Sequence, residues 1–159
     1  MKPPAEVLAK TYLKNLYAAA FSVCRNVQDA EDVVQDTLVA YMTCNRDFQS
    51  EEHLRAWLLR VAINKAKNKR RSLFRTVPLE EYVETLSFET EEASEVFGAV
   101  MNLPKSYRIV IHLYYYEDYS VKEIAGILKL RPEAVKTRLS RGRAVLRTQL
   151  KEVWEDDES

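Results

Sequence analysis

The sequence predicts an all-α protein with two small helical domains joined by an acidic linker, the C-terminal domain being a helix-turn-helix. Glycine occurs only three times in 159 residues, and nearly every long segment carries apolar residues at spacings of three and four, as a helix requires. The five prolines lie near expected helix ends. With 47% apolar and 30% charged residues, the chain has enough apolar side chains for one or two compact cores.

The periodicity divides the chain into two groups of helices. Helices are predicted at 5–24, 29–44, 51–72, 92–102, 105–117, 120–128 and 132–150. The N-terminal domain covers 1–72, the acidic linker 73–91, the C-terminal domain 92–151 and an acidic tail 152–159. Within the linker, helical spacing favours a short amphipathic helix that carries Leu79, Tyr82, Val83 and Leu86.

Charge is segregated along the chain, although 24 basic and 24 acidic residues cancel. Residues 1–75 carry 13 basic and 8 acidic side chains, and residues 101–150 carry 10 basic and 4 acidic ones. Between these blocks, residues 76–100 hold seven Glu and no Lys or Arg. Two basic blocks indicate two modules that face a polyanion, joined by a segment that avoids it, and ordinary solvated helix faces are the alternative.

The sequence shows no motif for catalysis, a cofactor or a metal. Its few glycines do not form the loops that cradle nucleotide phosphates, and neither H-E-x-x-H nor G-x-S-x-G occurs. Cys24 and Cys44 form no C-x-x-C pair, and with only His53 and His112 they predict neither a disulfide framework nor a zinc site. We therefore expect a non-enzyme without cofactor or metal. No segment suits a membrane span or a signal peptide, which predicts a cytoplasmic protein without direct membrane insertion.

The C-terminal basic block carries a helix-turn-helix pattern. A short helix with one apolar face precedes Pro132, which suits the first turn of a second helix. The predicted buried stripe of that second helix contains Val135, Leu139, Gly142, Leu146 and Leu150. Its exposed face carries Thr137, Ser140, Arg141 and Ala144, flanked by Lys136, Arg138, Arg143 and Arg147. Such a face suits a DNA major groove, where Arg meets guanine edges and neighbouring cations meet phosphates. An Arg-rich solvated helix is the alternative.

The helix at 51–72 carries a second polar and basic face. Its apolar stripe is predicted to contain Leu54, Trp57, Leu58, Val61 and Ala62, and its polar stripe Arg60, Asn64, Lys67 and Arg71. Because Asn both donates and accepts hydrogen bonds at a base edge while cations hold a phosphate backbone, this face is a candidate nucleic-acid surface. Phe48, in the polar loop before the helix, suits either the core or a stacking contact with a base.

The helix at 29–44 has an acidic exposed face. Its predicted buried residues are Ala30, Val33, Val34, Leu38 and Tyr41, which leaves Glu31, Asp32, Gln35 and Asp36 outside. An acidic face repels DNA, so the functional interpretation is a protein partner with basic residues. The helix dipole also favours acids in a first turn, which explains Asp29 to Asp32 without a partner but does not explain Gln35 and Asp36.

These motifs together resemble the extracytoplasmic-function (ECF) sigma factors of bacterial RNA polymerase, over nearly the whole chain. Residues 29–36 resemble the core-binding helix of that family, and residues 54–71 resemble its helix for opening and reading the minus-ten promoter element. Leu103-Pro104 and the helix-turn-helix that follows resemble the domain that reads the minus-thirty-five element.

The resemblance implies a role for each candidate surface. Core RNA polymerase contacts are implied for Asp32, Gln35 and Asp36. Minus-ten DNA contacts are implied for Phe48, Arg60, Asn64, Lys67 and Arg71. Minus-thirty-five DNA contacts are implied for Lys136, Thr137, Arg138, Ser140, Arg141 and Arg143. The implied partners are core RNA polymerase, promoter DNA and an anti-sigma factor.

Two positions depart from the family pattern. Lys129 stands in the turn where glycine is usual, and the recognition helix begins with Arg131-Pro-Glu-Ala134 where a start with a capping Ser or Thr is common. The missing side-chain cap is expected to cost about 1 kcal/mol. Pro132 and Glu133 compensate through the fixed φ of proline and the helix dipole.

We therefore expect a sigma factor that confers promoter recognition and strand opening on core polymerase. A stand-alone helix-turn-helix regulator that acts as a dimer is the alternative, and an adaptor that binds only protein is a further one. The acidic face disfavours the dimeric regulator, because an operator-binding protein has no need of it. Asn64 within a basic stripe disfavours the adaptor.

Overall fold

The computed structural model describes residues 1–69 and 88–158, with side chains through residue 151. Helices are the only regular secondary structure in these residues, which confirms the all-α class. The chain separates into two compact units, Met1–Thr76 and Val77–Ser159. The helix predicted within the linker and the predicted DNA contact Arg71 lie outside the described residues.

The N-terminal unit packs α1 (Ala5–Cys24), α2 (Val27–Thr43) and α3 (Glu51–Asn68) against one another. The starts of α1 and α3 agree with the predictions. α2 begins two residues early because Asn26 caps it, its Oδ1 accepting a hydrogen bond from the Asp29 backbone N–H at 2.9 Å. Ser50 caps α3 in the same way, accepting from the His53 N–H at 3.1 Å.

The core of this unit lies where the three helices meet. Its buried side chains include Leu8, Leu16, Phe21, Val33, Tyr41, Leu54, Leu58 and Ile63. The predicted buried face of α2 is confirmed, with Leu38 half-buried at its edge. In α3 the prediction was partly wrong, because Leu59 and Ile63 are buried whereas Trp57 and Val61 are half-buried. The buried stripe is wider because α3 contacts both α1 and α2.

The C-terminal unit contains α4 (Glu91–Met101), α5 (Lys105–Tyr115), α6 (Val121–Leu128) and α7 (Pro132–Glu158). Thr90 caps α4, and Ser120 and Glu123 form a capping box on α6, each side chain accepting from the backbone N–H of the other. α7 continues to Glu158, so residues 152–158 of the predicted acidic tail extend this helix. That stretch contains no Gly or Pro to end the helix.

α7 packs against the other three helices of its unit and fills the core with its apolar stripe. Val135 and Leu139 are 0% and 2% exposed. Gly142 lies on the same stripe, and a Cβ built there meets Ile111 Cγ1 at 3.0 Å and Tyr107 Cβ at 3.3 Å. Glycine therefore allows α7 to approach α5 closely, and this approach sets which side of α7 faces outward. No described helix is long and apolar enough to cross a bilayer.

Candidate nucleic-acid and protein interfaces

The outward face of α7 carries the side chains predicted for a DNA groove. Thr137, Ser140, Arg141 and Lys136 are exposed, and Arg138 is half-buried beside them. Because Val135 and Leu139 anchor the opposite side in the core, these polar side chains are held on one face of a rigid helix. The face has the composition and periodicity that base-edge and phosphate contacts need.

Arg143 differs from the other predicted contacts on α7. Its Nε donates a hydrogen bond to the Tyr115 hydroxyl at 2.6 Å. Its guanidinium lies 5.2 Å from the Tyr114 ring centroid and 5.5 Å from that of Tyr115. The structure therefore directs Arg143 towards α5, where it joins two helices through cation–π contacts. It does not lie with Ser140 and Arg141 on the outward face.

The turn between α6 and α7 is tight although it contains no glycine. Lys129 has φ 56° and ψ 47°, the left-handed conformation, and its backbone N–H donates to the Ala125 carbonyl. The Leu130 N–H donates to the same carbonyl at 3.0 Å. These bonds satisfy a carbonyl at the C-terminal end of α6, as they do in turns that contain a glycine at this position. A side chain in the left-handed conformation nevertheless costs free energy. The departure at Lys129 thus leaves the helix-turn-helix geometry intact.

α3 presents the second candidate nucleic-acid face. Asn64 and Lys67 are exposed, and Arg60 is half-buried one turn earlier. The buried Leu59, Ala62 and Ile63 anchor the other side of the helix. The three polar side chains therefore share an accessible face, while Arg71 lies beyond the described part of the chain.

Phe48 is not part of that face. Its ring is 1% exposed and packs 5.4 Å from the Trp57 ring and 6.1 Å from the Tyr41 ring, centroid to centroid. Its backbone N–H also donates to the Met1 carbonyl at 3.0 Å. Phe48 therefore closes the core of the N-terminal unit, in agreement with the core interpretation of this residue. Its contact with DNA stays a prediction, and a stacking contact needs an open ring face.

The acidic face of α2 is accessible and carries a cation that the sequence analysis missed. The side chains of Asp32 and Asp36 are 42% and 55% exposed, and Gln35 is exposed between them. Lys69 Nζ lies 3.8 Å from Asp32 Oδ2 and 3.9 Å from Asp36 Oδ2. Lys69 follows α3 directly, and only the packing of α3 on α2 brings it to this face.

Two exposed apolar side chains extend the same face of α2. Val39 is 52% exposed and Met42 is 56% exposed. They follow Gln35 at spacings of four and seven, so they lie on its side of the helix. The sequence analysis did not name these two residues, although apolar residues outside the predicted buried stripe of α2 are the signal that could have identified them. A face with acids at one end and apolar side chains at the other is typical of a protein interface rather than a DNA interface.

The C-terminal unit also contains an apolar groove of about 510 Å³ between α4, α5 and α7. Its apolar walls include Val96, Val100, Ile111, Leu146 and Leu150. Arg143, Arg147 and Lys151 line the same groove. Burial raises the pKa of Tyr116, a further lining residue, to about 12.

A helical unit with separate acidic and polar faces, followed by a helix-turn-helix unit, defines a DNA-binding protein of the transcription machinery. The family model for Sigma-70 region 2 matches residues 8–76, and the model for Sigma-70 region 4 matches residues 93–146. The chain belongs to the sigma-70 family and is an ECF-type sigma factor of RNA polymerase. Both family models occur in one chain, so a stand-alone dimeric regulator is not favoured.

Individual relatives agree with this assignment. The RNA polymerase sigma factor SigV of Bacillus subtilis is 28% identical over 142 residues, spanning 86% of this chain and 85% of the relative. The ECF RNA polymerase sigma factor SigM of Mycobacterium tuberculosis is 27% identical over 143 residues, spanning 87% of this chain and 73% of the relative.

Two solved structures share the fold. CnrH in complex with the cytosolic domain of CnrY is 30% identical, with a TM-score of 0.66 and coverage of 93% of this chain and 88% of that chain. The sigma factor RpoE in complex with the anti-sigma factor NepR from Bartonella quintana is 22% identical, with a TM-score of 0.69 and coverage of 92% of this chain and 96% of that chain.

Proposed function

We propose that this sigma factor acts through three separate binding surfaces and catalyses no reaction itself. The acidic face of α2 binds core RNA polymerase, the polar face of α3 binds the opened minus-ten element, and the outward face of α7 binds the minus-thirty-five element. The observation that carries this proposal is the separation of charge by helix face. The exposed face of α2 carries Asp32 and Asp36, whereas the faces of α3 and α7 assigned to DNA carry cations with Asn, Ser and Thr. The exposed acids of α3, Glu51 and Glu52, lie in its first turn.

The polymerase contact is assigned to Asp32, Gln35 and Asp36. The carboxylates of Asp32 and Asp36 are accessible, and opposite charges across an interface steer association and fix its register. Val39 and Met42 add apolar area beside the charges, which such an interface needs for affinity. DNA is an unsuitable partner for this face, because phosphates and carboxylates repel each other.

The two DNA contacts are assigned to different steps of initiation. On α7, Arg141 and Ser140 meet base edges of a duplex while Lys136, Thr137 and Arg138 hold its backbone. On α3, Asn64 contacts an unpaired base, and Arg60 and Lys67 hold the backbone of the opened strand. Arg71 remains a predicted member of the minus-ten surface. Acting on polymerase and promoter DNA, the protein works in the cytoplasm.

An anti-sigma factor is the proposed regulatory partner. The RpoE relative was solved in complex with the anti-sigma factor NepR, and the CnrH relative with the cytosolic domain of CnrY. These structures cover more than nine tenths of this chain. An equivalent partner for this chain is expected to compete with polymerase, since a protein that covers the acidic face of α2 blocks it.

Charge reversal on α2 tests the polymerase contact. The double variant Asp32→Arg with Asp36→Arg places like charges against a basic partner, which costs several kcal/mol. We expect it to stay folded and helical but to lose co-purification with core polymerase and run-off transcription. A matched control is Glu6→Arg with Glu52→Arg, because both residues are exposed acids of the same unit that lie outside α2.

The control variant is expected to bind core polymerase like the parent protein. Retained binding by the folded α2 variant would show that the acidic face is only solvated surface. Loss of binding in both variants would show that the net charge of the unit matters and that the position of the acids does not.

A further inference from the structure

Lys69 occupies the acidic face of α2 in the free protein. Its Nζ lies between two carboxylates, 3.8 Å from Asp32 Oδ2 and 3.9 Å from Asp36 Oδ2. The lysine side chain is 31% exposed, less than either carboxylate. Lys69 is the residue that caps the end of α3, its backbone N–H donating to the Ala66 carbonyl at 3.3 Å. One side chain therefore connects the end of α3 with the proposed polymerase-binding surface.

The position of Lys69 has a clear electrostatic effect. Asp32 and Asp36 lie one helical turn apart, where two like charges destabilise each other. The ammonium group between them offsets this repulsion. Gln28 Nε2 donates to the other carboxylate oxygen of Asp32, Oδ1, at 3.3 Å, so Asp32 has two partners, Gln28 and Lys69. Asp36 is the more exposed of the two acids.

The contacts are also easily displaced. Both distances are close to the 4 Å limit of an ion pair, and both carboxylates are more than a third exposed, so water and salt screen the attraction. A lysine ammonium is a single point charge, whereas an arginine guanidinium binds a carboxylate with two parallel hydrogen bonds. An arginine on a partner protein is therefore able to replace Lys69.

We propose that Lys69 is an internal counter-ion of the acidic face, which a cationic side chain of core polymerase displaces on binding. This inference rests on the proposed polymerase contact of Asp32 and Asp36. Lys69 lowers the affinity of the free chain for polymerase and excludes weakly basic partners. It acts through the two carboxylates and is a positioning residue for them.

The variant Lys69→Gln tests the proposal, because it removes the charge and keeps the backbone hydrogen bond. Fluorescence titration of the labelled full-length chain with core polymerase is expected to show binding about two- to five-fold tighter than the parent, as expected for loss of one weak surface competitor. Lys69→Arg keeps a cation in place and is expected to bind no tighter than the parent. Lys14→Gln, on the exposed side of α1, removes the same charge away from the face and is expected to change affinity less than Lys69→Gln.

A double-mutant cycle separates competition from a general charge effect. If Lys69 acts through the carboxylates, Lys69→Gln gains less affinity in an Asp36→Asn background than in the parent. Equal gains in both backgrounds, equal gains from Lys14→Gln and Lys69→Gln, or weaker binding of Lys69→Gln would each overturn the proposal.

The variant Asp32→Arg with Asp36→Arg, run in the same titration, tests the underlying site. If that variant binds normally, the polymerase site is wrong. If it fails to bind while Lys69→Gln equals the parent, only the counter-ion role is wrong.

Discussion

Replacing Gly142 with alanine tests how closely α7 must approach α5. In a helix interior, Gly→Ala normally stabilises by about 0.8–1 kcal/mol, because glycine loses more backbone freedom on folding. At Gly142 the new methyl group meets Ile111 Cγ1 at 3.0 Å, Ile111 Cδ1 at 3.2 Å and Tyr107 Cβ at 3.3 Å. Ile111 is 0% exposed, and the Cβ of Tyr107 is attached directly to the backbone, so the Ile111 side chain and the backbone at Tyr107 must both shift to make room.

The steric cost exceeds the gain in helix propensity. Overpacking a filled core by one methyl group costs about 1–3 kcal/mol, so Gly142→Ala is expected to destabilise the C-terminal unit by about 1 kcal/mol net. The matched control is Gly126→Ala in α6, since no described atom beyond its own helix turn lies within 4 Å of a Cβ built there. That variant is expected to stabilise the unit by about 0.5–1 kcal/mol.

Urea unfolding and calorimetry of the full-length chain measure the difference. Each kcal/mol shifts the melting temperature of a unit this small by about 4–8 °C, so the two variants should move its transition in opposite directions. The transition of the N-terminal unit serves as an internal reference. If Gly142→Ala stabilises as much as Gly126→Ala, then Ile111 and Tyr107 give way, and the close approach of α7 to α5 is not the reason for a glycine at this position.

Three further predictions concern the turn and the DNA faces. Lys129→Gly relieves a side chain in the left-handed conformation and is expected to raise the free energy of unfolding by about 0.5–1 kcal/mol, measured by urea unfolding; an unchanged or lower value would contradict the assigned strain. Arg141→Ala is expected to weaken holoenzyme binding to a duplex with the minus-thirty-five element by about 1–3 kcal/mol and to relax base preference there. Asn64→Ala is expected to spare that binding and to impair strand opening in permanganate footprinting; normal opening with weaker upstream binding would reverse the assignment of the two faces.

Much of the architecture is a property of the local sequence. Helix starts depend on short-range chemistry, such as the capping box of Ser120 and Glu123, whose residues are only three apart. The buried stripe of α7 depends on the helical period, which placed Val135, Leu139 and Gly142 on one side before any partner helix was known. The outward positions of Ser140 and Arg141 follow from the same period.

Other features depend on how helices pack, which local patterns do not record. Phe48 lies in a polar loop, and only its contacts with Tyr41 and Trp57 show that it closes a core. The helical period places Arg143 beside the predicted DNA face of α7. The Tyr115 hydroxyl and the rings of Tyr114 and Tyr115 instead hold its guanidinium against α5. In both cases the deciding partners lie on other helices: Tyr41 on α2 and Trp57 on α3 for Phe48, and the tyrosines of α5 for Arg143.

The sequence by itself determined the helical class, the order of the two units and the chemistry of each exposed face, because helical periodicity and capping act over a few residues. Only the tertiary structure decided which of those exposed side chains already have partners. Lys69 is 33 residues from Asp36 in the chain, yet its Nζ lies 3.9 Å from that carboxylate once α3 packs on α2. A pairing of this kind depends on the distance and angle between two helices. The volumes of the side chains throughout the core determine that distance and angle.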